Sequence, residues 1–138
     1  MSRAPILLDT CAALWATAPT GLSPVAQATI AQAERDGVPV LVSAITAWEL
    51  GMLVARGRIV LLEPPLKWFN GLLEAGVQLA DLSPAVLVEA SFLLQSRLRD
   101  PADRVIAATA RSHGYRVMTR DRPLLEYAAA GHIQAIPC

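Results

Sequence analysis

Asp9 and Thr10 directly follow the apolar pair in L-L-D-T, Ser43 closes V-L-V-S, and Thr119 with Asp121 closes V-M-T-R-D. A carboxylate or hydroxyl placed just after a short apolar run can cap the helix that follows. It can also face a ligand at the carboxyl end of a strand. Capping is a sufficient role for each of these residues taken alone. Glu49 is harder to place, because it is the only charged residue between Gly37 and Ala55 in a segment dominated by Ile45, Trp48, Leu50, Met52 and Leu53. A carboxylate buried there without a partner would be costly, so it either points outward at a helix edge or faces a cavity that holds a cation. In R-D-P-A-D-R-V-I-A-A-T-A, Asp100 and Asp103 lie three residues apart, on one face of a helix. Capping with Pro101 at the first helical position accounts for Asp100, and less completely for Asp103, which precedes the apolar stretch Val105 to Ala108.

Taken together, Asp9, Glu49, Asp103 and Asp121 all fall at strand ends or early in helices on one rim. Carboxylates gathered that closely repel one another unless a cation lies among them. With the hydroxyls of Thr10, Ser43 and Thr119 nearby, they make a hard, oxygen-rich site suited to Mg²⁺ or Mn²⁺. Zinc fits poorly, since His113 and His132 have no ligand-type spacing and Cys11 reads as a small core residue.

The elements that must position these groups alternate. Ile6 to Leu8 and Val38 to Val42 read as short buried strands, and Gly76 to Leu79, Arg116 to Met118 and Ile133 to Ile136 as weaker ones. Helices are expected over Val25 to Asp36, Ala44 to Arg56, Pro65 to Glu74, Ala85 to Leu98, Pro101 to His113 and Pro123 to Ala130. Gly114 and Gly131 stand where left-handed caps would end the last two. Such alternation predicts an α/β fold, a three-layer α/β/α sandwich around a parallel sheet.

The chain has 138 residues, 54% apolar and 17% charged, which predicts one domain over 1–138 with a core large enough to need no disulfide or structural metal. The two cysteines form no framework, so a reducing cytoplasm fits best. No stretch suggests a signal peptide or a membrane span. Twelve basic residues balance twelve acidic ones, so net charge points to no nucleic-acid partner.

Four segments carry a resemblance that covers essentially the whole chain: L-L-D-T-C-A-A-L-W at 7–15, L-V-S-A-I-T-A-W-E-L at 41–50, D-P-A-D-R-V-I-A-A-T-A at 100–110 and V-M-T-R-D at 117–121. In order and spacing they resemble the PIN-domain ribonucleases, specifically the VapC toxins of prokaryotic toxin–antitoxin pairs. The third segment is distinctive of one branch of that family. The resemblance implies a PIN-like fold with parallel strand order 3-2-1-4-5 and a metal-dependent endoribonuclease site built from Asp9, Glu49, Asp103 and Asp121. Asp9 and Asp103 would be the principal ligands of Mg²⁺ or Mn²⁺, Glu49 and Asp121 would complete the acidic pocket, and Thr10, Ser43 and Thr119 would orient them. Asp100 belongs to the branch's D-P-x-D motif, but its position assigns it mainly to capping. Products with a 5′-phosphate and a 3′-hydroxyl are expected, from attack of a metal-activated water on phosphorus.

Charge placement agrees with an RNA substrate. Between Arg97 and Arg122 seven arginines accompany three acids, Asp100, Asp103 and Asp121. A basic rim around an acidic centre suits RNA, and Arg104 and Arg120, beside proposed ligands, are the first candidates to contact it. The resemblance also implies a cognate VapB-like antitoxin and a homodimer, with Gly57 to Phe69 as a candidate contact segment. Two rivals remain at this level. One is a phosphoryl-accepting α/β domain, which the absence of D-x-D at Asp9 and the presence of a single lysine, Lys67, argue against. The other is a PIN-like binding scaffold without activity, which the presence of all four carboxylates argues against.

Overall fold

The computed structural model describes residues 3–18, 21–93 and 97–138. Five strands, β1 (Ile6–Leu8), β2 (Val40–Ser43), β3 (Gln78–Ala80), β4 (Arg116–Thr119) and β5 (Gln134–Pro137), form one sheet of order β3-β2-β1-β4-β5. Every pairing is parallel. The helices are α1 (Thr10–Ala16), α2 (Pro24–Arg35), α3 (Ala44–Ala55), α4 (Pro65–Glu74), α5 (Pro84–Ser91), α6 (Pro101–His113) and α7 (Arg122–Ala129). None of the described helices is long and apolar enough to cross a membrane.

β1 is central and buried on both faces, which is why its sequence is a continuous apolar run rather than an alternation. Its side chains nonetheless divide by face. Leu7 joins Val86, Ala90, Ile106, Ala107 and Leu124 in one core, beneath α5, α6 and α7. Ile6 and Leu8 join Ala12, Ala26, Leu50, Phe69 and Leu72 in the other, under α1, α2, α3 and α4. Each such aliphatic or aromatic side chain contributes roughly 1.5–3 kcal/mol on full burial.

Register prepares the functional end. Leu8 pairs with Val42 on one side and with Met118 on the other. The next residues, Asp9, Ser43 and Thr119, therefore emerge in one row at the carboxyl edge.

The observed elements differ from the sequence expectation where chain reversals intervene. β2 starts at Val40 rather than Val38, because the Val38 N–H closes the end of α2 on Ala33 O at 2.8 Å and Pro39 has no N–H to donate. In the same way Val77 closes α4 on Leu72 O at 3.1 Å, so β3 begins one residue later, at Gln78. The helix expected over Ala85 to Leu98 ends at Ser91; residues 94–96 of that span lie outside the described residues, and Arg97 and Leu98 are not helical. The helix α1 was not among those expected. α6 ends at Gly114 in the left-handed conformation, φ 73°, as its sequence predicts.

Candidate active site

Asp9 leaves β1 and caps α1, its Oδ1 accepting the Ala12 N–H at 2.7 Å. Its other oxygen, Oδ2, accepts a short hydrogen bond from the Thr119 hydroxyl at the end of β4. That hydroxyl also accepts the Asp121 N–H at 2.9 Å. One buried threonine thus ties the ends of two strands to two carboxylate residues. Asp121 caps α7 on the Leu124 N–H at 3.4 Å, and Asp100 caps α6 on the Asp103 N–H at 3.0 Å. Ser43 caps α3 on the Ile45 N–H at 3.1 Å.

Glu49 stands in the middle of α3, half-buried, six positions beyond that cap. The Thr10 hydroxyl favours its ionised form, and Thr10 Oγ1 lies 3.1 Å from Thr46 Oγ1 in a buried pair. Thr46 was not singled out from the sequence. It precedes Glu49 by three residues and so shares its helical face, a spacing that could have marked it.

The electrostatics place the four acids in one neighbourhood. Burial raises Asp9 above its ordinary value, opposed by the Thr119 and Ala12 hydrogen bonds and reinforced by the charge of Asp121. Burial also raises Glu49, with Asp100, Asp9 and Asp121 adding to it. The Asp103 carboxyl is pushed up to about 8, first by burial and then by the charges of Asp121 and Asp100. The neighbouring Asp121 side chain thus favours the neutral form of the Asp103 carboxyl. Cys11 acts as a witness: its thiol is raised to about 11 by partial burial and then by Asp9, Glu49, Asp103 and Asp121 in turn. The expectation that Cys11 is a core residue is corrected here. It is exposed at the surface of α1, while the core positions of that helix are taken by Ala12 and Ala13.

Among the described residues, no three His, Cys, Asp or Glu side chains converge as a complete ligand set for one ion. The donor chemistry nevertheless fits Mg²⁺ or Mn²⁺, which keep several waters and need only one or two direct carboxylates. Raised carboxyls facing one another are also the electrostatic condition that a cation relieves. The histidines are elsewhere, His113 stacked on Tyr115 at 5.1 Å and His132 on Tyr127 at 4.6 Å. Grooves of about 730 and 620 Å³ lie away from the four acids.

The two arginines expected to meet RNA have roles within the fold. Arg104 donates from Nε to Ala90 O at 2.8 Å and from Nη1 to Leu98 O at 2.7 Å, fastening α6 to the end of α5 and the chain beyond it. Arg120 donates to Cys138 O at 2.7 Å and lies over the Trp15 ring.

Replacing Thr119 by Val keeps the volume and removes both of its hydrogen bonds. Loss of stability by about 1–3 kcal/mol is expected from the buried partners left unpaired. If the acids are catalytic, turnover falls roughly 10–100-fold with it. Thr119→Ser restores both in thermal melts and cleavage rates; equal behaviour of the Val and Ser variants would discount the bridge.

Residues 6–130 match the family model described as PIN domain. The chain is 40% identical over 120 residues to Ribonuclease VapC22 of Mycobacterium tuberculosis, covering 86% of this chain and 88% of that protein. Among solved structures it resembles FitAcB from Neisseria gonorrhoeae, with 26% identity, TM-score 0.58 and coverage of 95% and 96% of the two chains. It also resembles VapBC2 from Rickettsia felis, solved bound to a DNA fragment from their promoter, with TM-score 0.68 over 96% and 98% of the chains. At 15% identity that likeness is one of fold.

Proposed function

Since the chain belongs to the PIN-domain family, we propose that it is the endoribonuclease toxin of a toxin–antitoxin pair, hydrolysing RNA phosphodiesters at Asp9, Glu49, Asp103 and Asp121. One observation carries the site: the buried Thr119 hydroxyl donates to Asp9 and accepts the Asp121 N–H, so that carboxylate residues from two separate strand ends are tied together. Asp9 and Asp103 would hold Mg²⁺ or Mn²⁺, with Glu49 and Asp121 completing the shell directly or through water. When bound there, the cation supplies Lewis acidity toward the phosphoryl oxygens and lowers the pKa of a water.

The chain's own residues supply orientation and proton storage. Asp9 is fixed by a backbone donor on one oxygen and a hydroxyl on the other, and each oxygen keeps lone-pair capacity for a further partner. Thr10, backed by Thr46, favours the ionised form of Glu49. Asp103, held toward its neutral form, can release a proton as positive charge enters the site. Ser43 and Asp100 set the starts of α3 and α6, and so the directions in which Glu49 and Asp103 project.

We read residues 1–138 as one such domain, cytoplasmic, dimeric and held in check by a VapB-like antitoxin. The relatives solved as VapBC2 and FitAcB support that partner class. So do Val60, Leu62 and Leu66, exposed apolar side chains within the segment Gly57 to Phe69.

The test is incubation of the antitoxin-free protein with purified total RNA in Mg²⁺, in Mn²⁺ and in EDTA. Discrete cuts that require metal and leave 5′-phosphate and 3′-hydroxyl ends are expected. A cyclic phosphate end would overturn the metal-dependent scheme. Inertness of the folded protein over a broad RNA panel would leave a binding scaffold in its place.

A further inference from the structure

Cys11 and Trp15 are four residues apart on α1, so they share a helical face. Asp9 caps the start of α1, so the helix leads from that carboxylate to the Trp15 indole, which is 38% exposed. Arg120 lies over this ring, its guanidinium carbon 4.5 Å from the centroid. The guanidinium is held there by two main-chain oxygens, Cys138 O at 2.7 Å and Gly21 O at 3.4 Å. Gly21 can approach only because it lacks a side chain: a Cβ would lie 1.7 Å from Trp15 O. Arg120 sits between Thr119 and Asp121 in sequence, and its charge acts on Asp9. The stack is therefore anchored, cationic, exposed and one residue from Asp121.

We propose that Trp15 and Arg120 form a stacking platform for one unpaired nucleobase of the RNA, next to the phosphate held at the carboxylates. The proposal rests on the nuclease reading and adds how the substrate is oriented. Every base offers a π-face, and a guanidinium already stacked on indole offers a flat cationic surface to receive it. A base inside an A-form helix has both faces covered by its neighbours, so the platform selects single-stranded RNA. Orientation by a stacked base accounts for an Arg120 anchored by main-chain oxygens rather than left free to follow a phosphate.

The test uses short single-stranded RNAs carrying a fluorescent aminopurine at successive positions, bound to the wild-type chain and to Asp9→Asn, which stops cleavage. One position should be quenched, the quench should vanish in Trp15→Ala and it should survive in Trp15→Phe. In cleavage assays Trp15→Ala and Arg120→Gln should each weaken substrate binding about ten-fold. The loss should fall on KM more than on kcat. Removing the base at the quenched position should cost wild type the same factor and Trp15→Ala nothing further, a pattern that a merely structural role would not produce. Metal-dependent cleavage with an unchanged KM in Trp15→Ala, or with no position quenched, would overturn the platform and leave the nuclease standing. Failure of the wild type to cut any RNA would overturn the nuclease reading, and the quench would still decide the platform.

Discussion

Asp9→Asn should reduce RNA cleavage by about a thousand-fold or more while leaving the melting temperature unchanged or raised. The activity loss follows from removing the most buried carboxylate of the cluster, a group asked to hold a cation whose stabilisation of the transition state is several kcal/mol, where each ~1.4 kcal/mol is ten-fold in rate. The stability result follows from the local geometry. Asn is as good a helix cap as Asp, so the Ala12 N–H keeps an acceptor. The amide can still meet the Thr119 oxygen, and a buried negative charge facing Asp121 disappears. Cleavage rates and thermal melts on the same preparation check both halves. Substantial residual activity would remove Asp9 from the catalytic set, and a strongly lowered melting temperature would show that its hydrogen bonds matter more than its charge.

Asp103→Asn should also abolish cleavage, by a similar factor, and should in addition change how stability depends on pH. The Asp103 carboxyl is pushed up to about 8 in the metal-free fold, against the ordinary value of 3.8 in an unfolded chain. The folded state therefore binds the extra proton, and the unfolding free energy falls as pH rises. The contribution is whole below the ordinary carboxylate value, declines between the two and is gone above about 8. Asp9 and Glu49 shift in the same direction, so the slope belongs to the cluster. In EDTA the wild type should melt at steadily lower temperature from pH 5 to about 8, with a shallower fall in Asp103→Asn. Saturating Mg²⁺ should remove most of the slope, because the cation replaces the proton and binds more tightly as pH rises. A metal-free melting temperature that rises with pH would refute the placement of Asp103 among like charges.

What was legible in the chain was local. The five strands and most helix limits follow from apolar runs and from Ser, Asp, Pro and Gly at their ends, since capping and left-handed turns act over three or four residues. Asp9, Ser43, Asp100 and Asp121 announced themselves as caps for that reason, and each caps a helix in the structure. The four motifs in order supplied the resemblance, and with it the strand order that the sheet displays.

Tertiary structure decided what depends on distant residues. Val38 and Val77 left their strands to close helices, and Cys11 turned outward because Ala12 and Ala13 fill the core side of α1. Thr46 gained a role only through Thr10, 36 residues earlier. Arg104 and Arg120, legible as charge, acquired definite partners only when α5, Gly21 and Cys138 folded against them. The bond from Thr119 to Asp9 spans 110 residues. Periodicity and capping carry no information across that span. The parallel register of β1 and β4 brings the two residues together, and burial turns their meeting into a site with shifted acidity.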